Sequence, residues 1–187
     1  MFDKVINEVK SGVVAAIEGT GDIITALRGT IKDTVVGTLQ DTGDIAGSVV
    51  ETTASVVQGA VSGVASTGAT VAESAAEMVG AAISGVSEVG GDIANAAKGA
   101  VHGAITGANE VGGDLGQTAV NAVSGAISST EAVGGDIGNA AKHAVLGAVE
   151  AADEIGDEAG KTIRDALLAS AALPRDVVEA AIGRQAE

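Results

Sequence analysis

Asp92, Asp114 and Asp136 stand 22 residues apart, inside the near-identical stretches "EVGGDI" (88–93), "EVGGDL" (110–115) and "AVGGDI" (132–137). The flanking bodies agree as well: "AVHGAITGANEVGGD" begins at Ala100, "AVSGAISSTEAVGGD" at Ala122 and "AVLGAVEAADEIGDE" at Ala144. The same ruler reaches Glu158 going forward and Thr70 going back. Asp22 and Asp44 keep the step nearer the start, with four extra residues between Asp44 and Thr70. Four residues are about one helical turn, so the insertion nearly preserves which side faces which way. About seven degenerate units account for most of the chain, and a period of this length constrains the architecture before any motif does.

Twenty-two residues make six turns at about 3.67 residues per turn, so each offset keeps its bearing from unit to unit. With the aspartate at zero, Val89, Val111, Val133 and Ile155 fall at about 65°, and Ile93, Leu115 and Ile137 at about 98°. Val101, Val123 and Val145 fall at about 164°, and Ile105, Ile127 and Val149 at about 196°. Alanines such as Ala97, Ala104 and Ala119 fill the gaps, giving one apolar arc of roughly 130°. Asn95, Glu110, Gln117, Asn121, Ser128 and Asn139 lie opposite. The alternation of a half-buried strand is not sustained. The expectation is an all-α fold of amphipathic helices with no sheet.

The glycine pairs leave two forms open. Gly after the last apolar residue and Asp at the next N-cap are stop and start signals, which fold the chain into a hairpin array. Alternatively, the pairs sit inside long, nearly continuous helices at about 1 kcal/mol per Gly relative to Ala. The unbroken arc, the whole-turn insertion and the mid-unit glycines Gly103, Gly125 and Gly147 favour the continuous form. Pro174 should end or kink the last helix. The expected organisation is an amphipathic segment over 1–18, repeats over 19–158, and a more charged helical cap over 159–187.

Such helices need cover. The chain has one Phe and no Trp or Tyr, so the large side chains that supply much of a usual core are missing. Gly and β-branched residues also make an isolated helix marginal in water. The arc residues named above are therefore candidates for a lipid-facing or assembly face. Gly99, Gly103, Gly107, Gly125 and Gly147 are candidates for close helix packing, because small residues four apart let backbones approach.

A net charge of −15 disfavours nucleic acid and strongly anionic membranes as partners. The first residues carry Asp3, Glu8 and Lys10 and lack the apolar core of a signal peptide. No uncharged apolar run reaches the ~18 residues of a membrane span. A cytoplasmic location, peripheral to a lipid or granule surface, is the expectation. With no Cys, disulfides and thiolate metal sites are excluded.

The stretch "VHGAITGANEVGGDLGQTAVNAVSGAIS", Val101 to Ser128, resembles the degenerate 11- and 22-residue repeats of synucleins, exchangeable apolipoproteins and perilipins. The bacterial granule coat proteins called phasins are a looser analogy. The resemblance covers roughly Asp22 to Leu168 and implies extended helices laid on lipid. This chain departs from synucleins in carrying Asn, Ser, Glu and Gly on its polar face in place of paired lysines. That departure points to neutral lipid, a polymer granule or self-assembly.

Nothing in the sequence reads as a reaction centre. His102 and His143 occupy different repeat offsets and read as solvated. In a continuous helix the repeat aspartates are about 33 Å apart, too far for paired-carboxylate chemistry at about 5–10 Å. "EVGGDLG" has no preceding strand and no following Lys-Ser/Thr, so it is no phosphate loop. The expectation is a non-enzymatic structural protein without cofactor or metal. It coats a lipid or other apolar surface as a homo-oligomer of many copies; the alternative is a lipid-free homo-oligomeric helical scaffold, filament or tube.

Overall fold

At each of the three GGD stretches the chain reverses direction. The computed structural model describes residues 2–20, 23–42 and 45–183. Among the described residues lie nine helices and no strand: α1 (Phe2–Thr20), α2 (Ile23–Thr42), α3 (Ile45–Ser66), α4 (Val71–Glu88), α5 (Ile93–Glu110), α6 (Leu115–Ala132), α7 (Ile137–Ile155), α8 (Asp157–Ala169) and α9 (Arg175–Gly183). The all-α expectation holds, and of its two forms the hairpin array is the one adopted. Asp22 and Asp44 lie outside the described residues.

The turn explains why the continuous form loses. After Val111, Gly112 adopts φ +70°, a left-handed conformation open to glycine at little steric cost. Its N–H donates to the Asn109 carbonyl at 3.2 Å, and the Gly113 N–H donates to the Ala108 carbonyl at 2.7 Å. These two bonds satisfy carbonyls that a helix end would otherwise leave bare. Asp114 follows at once as the next N-cap, accepting from the Gln117 N–H at 2.9 Å. The same turn recurs at Gly90–Gly91–Asp92 and Gly134–Gly135–Asp136, where the caps accept from Asn95 and Asn139. Two satisfied helix ends and the packing of adjacent helices outweigh an unbroken helix that carries interior glycines.

Alternate helices form two rows. α1, α3, α5 and α7 neighbour one another in sequence, as do α2, α4, α6 and α8, and consecutive helices pack across the rows. Within a row the helices run parallel, since Gly99, Gly103 and Gly107 of α5 meet Val50, Ala54 and Gln58 of α3 in that order. The backbones are close: a Cβ on Gly103 would land on the Ala54 carbonyl, and one on Gly147 on that of Lys98. The same device places Gly59 and Gly63 on Ile6 and Lys10 of α1, and Gly125 on Ala76 of α4. The four-residue insertion is an extra turn of α3, which has 22 residues against 18 in α4, α5 and α6.

This stacking buries the apolar arc within the chain. Val101, Ile105, Val123, Val145 and Val149 are fully enclosed. Val89, Ile93, Leu115, Ile127, Val133 and Ile155 are partly buried and packed on that core. Two members stay open, Val111 at 37% and Ile137 at 41% exposed. Ile137 shows why. Its counterpart Ile93 has its side chain 3.1 Å from where a Gly135 Cβ would sit in the neighbouring turn, whereas α7 is the last helix of its row.

The outer helices differ from the inner ones. Positions filled by Ala96, Ala100 and Gly103 in α5, all buried, are Lys4, Glu8 and Ser11 in α1, all exposed. A polar outer face keeps a helix of a repeat array soluble where no further helix covers it. At the other end α9 packs on α7 and α8, burying Val178. Pro174 precedes this helix and accepts from the Val177 and Val178 N–H groups at 3.1 Å each.

Candidate functional site

At the α2–α4, α3–α5 and α5–α7 seams, where parallel helices of one row meet, a polar pair bridges them at a fixed sequence separation. Gln58 Nε2 donates to Glu110 at 2.7 Å and His102 Nε2 meets Glu154 at 3.1 Å, each pair 52 residues apart. Lys98 and Glu150 keep that separation, at 2.9 Å. Lys32 and Glu88, at 2.6 Å, are four residues further apart in sequence because the extra turn of α3 lies between them. The Glu88 hydrogen bond, and then its charge, hold the Lys32 amine above its ordinary pKa. Exposed pairs of this kind add little to stability. Their consistent effect is geometric: a long side chain from each helix lies over the seam.

The α4–α6 seam breaks this pattern. The positions that carry Lys32 and Glu88, or His102 and Glu154, are here Gly80 and Ala132. Those of Lys98 and Glu150 are Ala76 and Ser128. With no long side chains to cover the seam, a half-open groove of about 610 Å³ remains. Buried Ala81 and Gly125 lie at its base, and Ser124, Ser128 and Ser129 line the α6 side. Arg28, Lys32 and Glu77 line the other side, with Arg28 donating through Nε and Nη2 to Glu77 Oε2. Ser84 donates to the Gly80 carbonyl at 2.9 Å, leaving its lone pairs to the groove. Asn121 fixes the seam itself by donating to the Ala72 carbonyl at 2.7 Å.

The groove therefore has hydroxyls along its α6 wall, an ion pair along the other, and a floor of small residues. A site of this volume accepts a ligand or part of a partner. The expected close-packing residues fall in two places: Gly125 lies at this groove, while Gly99, Gly103, Gly107 and Gly147 lie in the other row.

The histidines sit differently from the sequence expectation. His102 is half-buried against Glu154, and His143 is partly enclosed with Nδ1 facing no hydrogen-bond partner. Both occupy seam positions that a single amphipathic helix would have left in water. Asp92 and Asp136, far apart in a continuous helix, line one shallow cavity of about 270 Å³ with Gly91, Ile93, Ala94 and Asn139. Each carboxylate is engaged at its own helix N-terminus. Among the described residues no helix is long and apolar enough to cross a membrane.

The groove was missed in sequence because its signal is a missing pair. It becomes legible only when offsets 10 and 18 of successive same-row units are read together.

No protein-family model and no curated protein matches this sequence.

Proposed function

We propose that the protein is a non-enzymatic helical-repeat scaffold, free of lipid, that offers the α4–α6 groove to a partner. The observation that carries this reading is the burial of Val101, Ile105, Val123, Val145 and Val149 against other helices of the same chain. The arc that called for an oily or sister-chain cover already has one. Burying a valine or isoleucine side chain stabilises by about 1.5–3 kcal/mol, so moving the arc onto lipid would require opening the stack.

Flotation with a neutral-lipid emulsion, combined with amide hydrogen exchange, tests this. The expected result is a chain that stays in the aqueous fraction, with α3 to α7 equally protected with and without emulsion. A chain that floats and loses protection at the GGD turns would overturn the scaffold reading in favour of a lipid coat.

A further inference from the structure

We draw no further inference here: the strongest candidate, the shallow cavity between the starts of α5 and α7, holds two carboxylates, Asp92 and Asp136, that are already engaged as caps of their own helices, and nothing among the described residues shows what ligand it would take.

Discussion

Substituting Gly103 by alanine separates two effects that pull in opposite directions. Gly103 lies in the middle of α5, where Gly→Ala raises intrinsic helix stability by about 1 kcal/mol. Against that, the added Cβ would overlap the Ala54 carbonyl oxygen and come within 2.8 Å of the Ala54 Cα. The obstacle is backbone, so no rotamer change relieves it and α3 and α5 must separate. Overpacking of this kind costs about 1–3 kcal/mol, and a backbone collision belongs at the upper end. The net expectation is a loss of about 2 kcal/mol. For a chain of this size that lowers Tm by about 4–8 °C. Gly29→Ala is the internal control. It is also mid-helix, but a Cβ there meets nothing within 4 Å, so it should stabilise by up to about 1 kcal/mol. Thermal melts of the two variants beside the wild type decide the matter. If Gly103→Ala melts at or above the wild type, as Gly29→Ala should, the close approach of α3 and α5 is wrong.

Three further outcomes follow from the turns and seams. Asp114→Ala removes the side-chain cap on Gln117 and should cost about 1 kcal/mol, read by urea unfolding; the Asp92 and Asp136 equivalents should cost about the same. Glu88 raises the Lys32 pKa above its ordinary 10.5, so whatever this pair adds to stability is complete below that value and fades as pH climbs through the folded-state pKa. Lys32→Met should therefore differ from wild type in Tm at pH 8 and converge with it at high pH; a gap that persists there would refute the linkage. Finally, a charge of −15 makes the folded chain repel itself, so Tm should rise as NaCl increases from about 20 to 200 mM, where screening takes hold.

Much of the fold was legible because its period is strict. The 22-residue ruler located the helices, and the wheel identified Val101, Ile105, Val123, Val145 and Val149 as one face. What the wheel could not supply was the identity of the covering surface, since an arc facing lipid and an arc facing the next unit obey the same spacing. The break at Gly112 was equally hidden. Its glycines cost a continuous helix about 1 kcal/mol each, and the compensating bonds from Gly113 to Ala108 and from Gln117 to Asp114 exist only once the chain has turned. His143 reads as solvated on an isolated helix and is half-enclosed in the stack, because its offset faces the neighbouring row member. The groove demanded comparison of units two apart, where Gly80 and Ala132 replace a pair that the α2–α4, α3–α5 and α5–α7 seams retain.

The parallel register within each row makes parity matter. Excising residues 89–132 removes one helix from each row, so α7 would settle on α3 and α8 on α4 with turns still meeting turns. Excising a single unit would invert everything downstream: former odd-row helices would have to pack in the other layer, pointing the wrong way, and α9 would close off the wrong side. The molecule can therefore be shortened only in even steps, and its natural increment of length is a helical hairpin.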